Sequence, residues 1–263
     1  MAQYRRLARL GPGVCGWLSF DTDAIIKVDV NQSRATFGQI VGAYQGNIDS
    51  YTKTLQFLAD LPICPATASL FDTSFFDDPI CGQLDLDFGA SPNLFTVNGV
   101  QVVGDLQKAG VYHAATTSTM KLKWSKIVGT PCVICNASAT AKAGGHIFGE
   151  GTLGGFAFRL NESNGAFGWY TPVADAVHYQ SFSYANGVAS TVDTLGFLDA
   201  FSAANGLPLA RRLLLADSGQ VVVSLSSTGV SVARHRVFVG VGSLVEPGTP
   251  LPQNGYLVAF KAP

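Results

Sequence analysis

Apolar and polar positions along this chain fall into one recurring phrase. A short apolar strand ends in a small or acidic residue, a polar turn follows, and a second strand opens near an aromatic. The clearest copy runs Val111-Tyr112-His113-Ala114-Ala115, turns over residues 116–121 and continues Leu122-Lys123-Trp124-Ser125. A second runs Phe156-Ala157-Phe158-Arg159-Leu160, turns over residues 161–165 and reaches Trp169. A third spans Gly196 to Phe201 with a turn over residues 202–206, and an earlier one spans Ile25 to Val30 with a turn over residues 31–34. Gly255-Tyr256-Leu257-Val258-Ala259-Phe260 is a closing half-copy. Trp124 and Trp169 lie 45 residues apart, and Phe156 and Phe197 lie 41 apart. Repeats of about 40–45 residues are the period of four-stranded propeller blades. Further strands are expected between the copies, at residues 99–104, 185–188 and 236–240.

Asn-Gly occurs at 98–99, 164–165, 186–187, 205–206 and 254–255. The dipeptide suits the two-residue hairpin turn in which both residues take positive φ, so all five are expected there. Residues 44–85 break the rhythm. Thr52 to Ala59 is expected to form a short helix, and the rest, with Pro62, Pro65 and Pro79, reads as a long insertion.

Composition agrees with strands and tight turns. There are 29 Gly and two Met, and charged residues make up 13%, about half the usual share of roughly 25%. The net charge of −1 gives no electrostatic case for nucleic acid. No apolar run approaches the roughly 20 residues needed to span a bilayer. Arg5, Arg6 and Arg9 cluster near the start. A solvated terminus and the basic end of an export signal both remain open there, and Gly11-Pro12-Gly13 interrupts the second.

The five cysteines are Cys15, Cys64, Cys81, Cys132 and Cys135. An odd number leaves at least one free or paired outside the chain. Cys64 and Cys81 flank one long loop within the insertion and could staple it in an oxidising compartment. Cys132-Val133-Ile134-Cys135 is a CxxC followed by Asn136, which excludes covalent haem attachment. No second ligand pair accompanies it for zinc. A structural cysteine pair, buried thiols and a redox dithiol remain open.

Leu84-Asp85-Leu86-Asp87-Phe88-Gly89-Ala90-Ser91-Pro92-Asn93-Leu94-Phe95, followed by Val102-Val103-Gly104-Asp105-Leu106-Gln107-Lys108-Ala109-Gly110, resembles a two-part run of the pyrroloquinoline-quinone (PQQ) dehydrogenases. The similarity is to the polyvinyl-alcohol-dehydrogenase-like branch, and the turn-then-aromatic repeat resembles that family's repeat. It covers most of residues 24–263. The resemblance implies an all-β, eight-bladed propeller holding PQQ and calcium in its funnel and oxidising a small or polymeric alcohol. It implies Asp87 as the base that takes the hydroxyl proton and Lys108 as the cation contacting the quinone oxygens. Such roles are chemically sound, since a cation over a quinone offsets the charge that hydride transfer places on its oxygens. It further implies a periplasmic or extracellular location.

Departures are equally specific. Eight such blades need roughly 320–360 residues, so about four to five blades are expected in residues 24–263, with residues 1–23 as a leader or partial blade. The family's calcium ligands have no counterpart ahead of Ile25, and Ser33-Arg34 and Ser118-Thr119-Met120 lack the usual Thr-Gly turn. A catalytically silent propeller serving as a binding or assembly scaffold is therefore the competing expectation, with self-association or a partner chain completing the ring. His113, His146 and His235 stand isolated, Asp193 and Asp199 read as turn stabilisers, and His178-Tyr179-Gln180 reads as a packed strand end or a funnel lining. No GxSxG, P-loop or dinucleotide-binding signature occurs.

Overall fold

A computed structural model describes residues 24–46, 88–130, 135–152, 156–173, 180–219, 229–241 and 256–261. The strands group in chain order into five antiparallel meanders. The first holds β1 (Ala24–Val28) and β2 (Ile40–Gln45). The second holds β3 (Asn93–Val97), β4 (Val100–Gln107), β5 (Val111–Thr116) and β6 (Lys121–Ile127). The third holds β7 (Ala141–Ala143), β8 (His146–Gly151), β9 (Phe156–Asn161) and β10 (Phe167–Pro172). The fourth holds β11 (Ser183–Ala185), β12 (Val188–Val192), β13 (Phe197–Ser202) and β14 (Pro208–Leu213). The fifth holds β15 (Ser231–Ala233), β16 (Arg236–Val241) and β17 (Tyr256–Lys261). Helix α1 (Leu214–Ser218) is one turn that sequence patterning did not suggest.

Each sheet packs face to face on the next, and the core lies in the seams. Val102, Leu106, Tyr112 and Ala114 of the second sheet meet Ile147, Phe158 and Leu160 of the third. Phe148, Ala157 and Trp169 meet Ala189 and Phe201 of the fourth. Val192, Leu198 and Leu214 meet Val239, Val258 and Phe260 of the fifth. Ile25 and Tyr44 meet Val103 and Ala115 at the first seam. Both faces of each inner sheet are covered, which is why β4 and β5 read as near-continuous buried runs. The chain is all-β, and its sheets succeed one another as the blades of a partial β-propeller.

Two turn designs recur. The first hairpin of four blades closes on two residues with positive φ: Asn98-Gly99, Gly144-Gly145, Asn186-Gly187 and Arg234-His235. The outer hairpin is longer. Met120, Gly165 and Gly206 take positive φ at equivalent places, and each backbone N–H donates to the carbonyl four residues back, all at 2.8 Å. A bulge follows in each at the same register, between Ala114/Ala115, Phe167/Trp169 and Ala200/Phe201, and again between Lys27/Val28 in the first blade. Asn-Gly at 164–165 and 205–206 therefore belongs to this longer turn, and only its glycine is left-handed. The Asn-Gly at 254–255, the expected helix at 52–59 and nearly all of the long insertion lie outside the described residues. β2 runs on through Tyr44 and Gln45, the first two residues of the stretch read as insertion.

The outer-strand tryptophans explain the repeat. Trp124 lies over the turn of the next blade, where a methyl group on Gly165 would sit 2.5 Å from its ring. Its indole N–H donates to the Glu162 carbonyl at 3.0 Å. Trp169 does the same at Gly206, donating to the Ala203 carbonyl at 3.0 Å. Arg159 beside it donates to the carbonyls of Ala203 and Ala204. At the first seam the sizes are exchanged. Gly42 occupies the tryptophan position, and Met120 fills the space from the turn side, 2.9 Å from a methyl group placed on Gly42. The missing indole donor is replaced by Lys27, whose Nζ donates to the Thr117 carbonyl at 3.1 Å.

Candidate functional site

The turn that carries Lys108 is built tightly. β4 ends at Gln107, and Gly110, at φ 75°, donates its N–H to the Gln107 carbonyl at 2.8 Å. A side chain at residue 110 would strike the Gly129 carbonyl, so only glycine fits. The Gly110 carbonyl accepts from the N–H groups of Val128 and Gly129. Buried Asn136, itself at φ 55°, ties three loops together. Its side-chain amide donates to the carbonyls of Lys108 (3.0 Å) and Thr130 (2.8 Å), and its backbone N–H donates to Thr152 Oγ1 at 2.6 Å.

Lys108 is half-buried at this rim. A methyl group on Gly89 would lie 3.7 Å from Lys108 Cε and 2.9 Å from Ala137 Cβ. The lysine stem thus reaches the Phe88-Gly89 turn, 20 residues earlier in the chain. Asp87, Cys64 and Cys81 lie outside the described residues. Cys135 is buried and disulfide-bonded, so it is neither a free thiol nor a metal-bound thiolate.

Behind the rim runs a buried network that the sequence hid. Tyr44 Oη donates to His113 Nδ1 at 2.8 Å, and His113 Nε2–H donates to Gln107 Oε1 at 3.0 Å. With both ring nitrogens so engaged, the imidazole is held as one tautomer. Phe88 packs edge-on against it at 5.5 Å. Asp105 lies opposite His113 in the ladder. Burial pushes its carboxyl up to about 8, against the Leu106 N–H bond that lowers it.

A second polar group sits at the third seam. Thr191 Oγ1 donates to Glu150 Oε1 at 3.1 Å, while buried Glu150 Oε2 has no hydrogen-bond partner. Burial raises the Glu150 carboxyl well above its usual range, and nearby Asp199 and Asp193 raise it further. Arg211 bridges Asp193 (2.9 Å) and Asp199 (3.2 Å). Asp193 Oδ1 also accepts from the N–H groups of Leu195 and Phe197, which is the turn role expected of it. Asp199 is more than a turn residue: burial raises its carboxyl to about 6, moderated by Arg211. His235 forms the exposed tip of the fifth blade's hairpin, and His146 packs edge-on to Phe148. Gln180 is fully buried, as a packed strand end would be; His178 and Tyr179 are not among the described residues.

Among the described residues, no group of three or more His, Cys, Asp or Glu could hold a metal ion, and no helix is long and apolar enough to cross a membrane. No protein-family model and no curated protein sequence matches the chain. Solved structures do. BamB from Moraxella catarrhalis aligns with a TM-score of 0.48 at 11% identity, over 83% of this chain and 56% of that protein. A quinohemoprotein alcohol dehydrogenase from Comamonas testosteroni aligns with a TM-score of 0.46 at 14% identity, over 60% of this chain and 29% of that one. The computationally designed Ika8 aligns at 0.48 and 10% identity, over 67% of this chain and 46% of its own. This chain spans about half the length of BamB.

Proposed function

We propose that the chain is a quinoprotein-type propeller that binds PQQ at the rim around Lys108 and oxidises an alcohol, secondary or polymeric as in the polyvinyl-alcohol-dehydrogenase-like branch. The observation that carries this reading is the meeting of Lys108 with Phe88-Gly89, because Asp87 directly precedes that turn. A cation at this rim suits one edge of a planar, anionic quinone. Bound there, the quinone would supply the two-electron acceptor. Lys108 would lower the cost of negative charge on its oxygens. Asp87 would accept the hydroxyl proton of the alcohol. Calcium takes six to eight oxygen ligands, and the described residues offer no such set, so no step is routed through it. The Cys135 disulfide supports an oxidising, periplasmic or extracellular setting.

Calorimetric titration of the chain with PQQ, with and without calcium, tests the reading. Near-stoichiometric binding that is lost in Lys108→Ala supports it, as does dye-linked alcohol oxidation lost in Asp87→Asn. Binding that is indifferent to Lys108→Ala refutes the placement. The second reading is a scaffold without catalysis. It is favoured by the engagement of His113 and Glu150 in bonds between blades and of Asp193 and Asp199 in an ion-pair bridge within the fourth blade, and absence of PQQ binding under both conditions would select it.

A further inference from the structure

The first and the fifth described blades expose faces that the seams between described blades bury. The common bulge sets which positions correspond. In the outer hairpins Val28, Ala115, Leu160 and Phe201 occupy one place, directly after the register shift on the turn side. Two residues earlier stand Ile26, His113, Phe158 and Asp199. These positions point toward the preceding blade. Where a preceding blade exists they are buried: Ala115, Leu160, His113 and Phe158 are 0% exposed, Phe201 2% and Asp199 4%. In the first blade the same positions are open, with Ile26 at 47% and Val28 at 41%, and Ile40, paired with Val28, at 47%.

The opposite face behaves alike. Ile25, Tyr112, Ala157 and Leu198 point toward the following blade and are 8% exposed or less. Leu257 is their counterpart on β17, since Tyr256, Val258 and Phe260 face the fourth blade. Leu257 is 72% exposed, and Phe238 and Ala259 pair on the same side of the sheet. Among the described residues, one face of each kind is thus exposed, and the kinds cover one another at all four seams between described blades. Apolar patches of this sort on a sheet mark association surfaces.

We propose that a second copy of this chain covers them: the Leu257 face of one copy stacks on the Ile26–Val28 face of another, continuing the blade order head to tail. The contact repeats the geometry of the inner seams. It is heterologous, joining two different patches. It does not depend on the quinone reading, because neither face includes the Lys108 rim.

Light scattering after gel filtration of the full chain, with Ile26→Lys and Leu257→Lys variants, is the test. Both residues are exposed, so the variants keep the monomer fold, which circular dichroism checks. The wild type should associate at concentrations on the order of 10 µM. Each variant should weaken association at least tenfold, because an unpaired lysine would have to be buried. Mixing the two variants should restore one intact seam and give a dimer, because each retains the face that the other lacks. A wild type that stays monomeric overturns the proposal. Association that survives both substitutions, or that fails to return on mixing, overturns it as well.

Discussion

The docking of each tryptophan on the next blade's turn can be isolated energetically at Gly206. Gly206 and Gly187 have similar left-handed backbones, φ 74° and 81°. A methyl group at Gly187 meets nothing within 4 Å, whereas at Gly206 it would lie 2.6 Å from Thr171 Oγ1 and 2.7 Å from the Trp169 ring. Gly187→Ala therefore carries only the backbone cost of a left-handed L-residue, about 1–2 kcal/mol. Gly206→Ala carries that cost and the overpacking against Trp169, about 1–3 kcal/mol more. It also strains the bonds from Trp169 Nε1 to the Ala203 carbonyl and from Thr171 Oγ1 to the Gly206 carbonyl. Urea unfolding of the two variants side by side reads the difference directly. Gly206→Ala should be the less stable by about 1–3 kcal/mol, which for a chain of this size is roughly 2–10 °C in Tm. Equal losses would refute the claim that the turn glycine is there to receive the indole.

Three further outcomes follow from the same structure. Arg234 and His235 both hold positive φ in an exposed hairpin, so Arg234→Asn with His235→Gly should raise stability by about 1 kcal/mol; a fall in calorimetric Tm would contradict it. Burial raises the Glu150 carboxyl well above its usual value in the fold, so its contribution to stability falls as pH rises above about 4.5, the ordinary value it has when unfolded. Glu150→Gln should flatten the stability profile above that pH, and parallel wild-type and variant curves would remove Glu150 as the cause. Gly42→Trp and Met120→Gly should each destabilise the first seam, while the double variant should recover at least about 1 kcal/mol of the summed loss; strict additivity would mean that the two sites do not share one space.

How much of this was legible in the sequence depended on how local each signal was. The repeat was plain, because Trp124, Trp169 and the turn glycines recur at a spacing set by the blade. The Asn-Gly pairs were read as one turn type, yet two of them sit in longer hairpins, because the bulge rather than the dipeptide sets the register there. Arg234-His235 carries no turn signature, because the pairing of β15 with β16, Ala233 opposite Arg236, closes on two residues that disfavour positive φ. Helix α1 is a single turn, too short for periodicity to show. His113 looked isolated because its partner Tyr44 is 69 residues away. Lys108 could be singled out by resemblance, but the Asn136 clamp that fixes its turn joins segments from three loops. Glu150 gave no signal at all, since its partners Thr191, Asp193 and Asp199 belong to the next blade.

Blades with the same turns and the same bulge raise a problem of order: nothing in the backbone says which should follow which. The side chains at the seams answer it. The second seam is mainly apolar, and Asn93 of the second blade donates across it to the Thr140 carbonyl at 3.1 Å. The first is closed by the bond from Tyr44 to His113, where the wrong neighbour would leave a buried ring nitrogen without that donor, at about 1–3 kcal/mol. It also carries the exchanged pair of Gly42 and Met120, which a tryptophan-bearing blade could not enter without a clash. The third joins Glu150 to Thr191 beside the Arg211 bridge, so a misplaced blade would bury the Glu150 carboxyl without its Thr191 donor. Polar groups in these seams add little net stability compared with well-packed hydrophobic residues. Their effect is to make each seam fit one neighbour, which lets a repeated backbone fold in a single blade order.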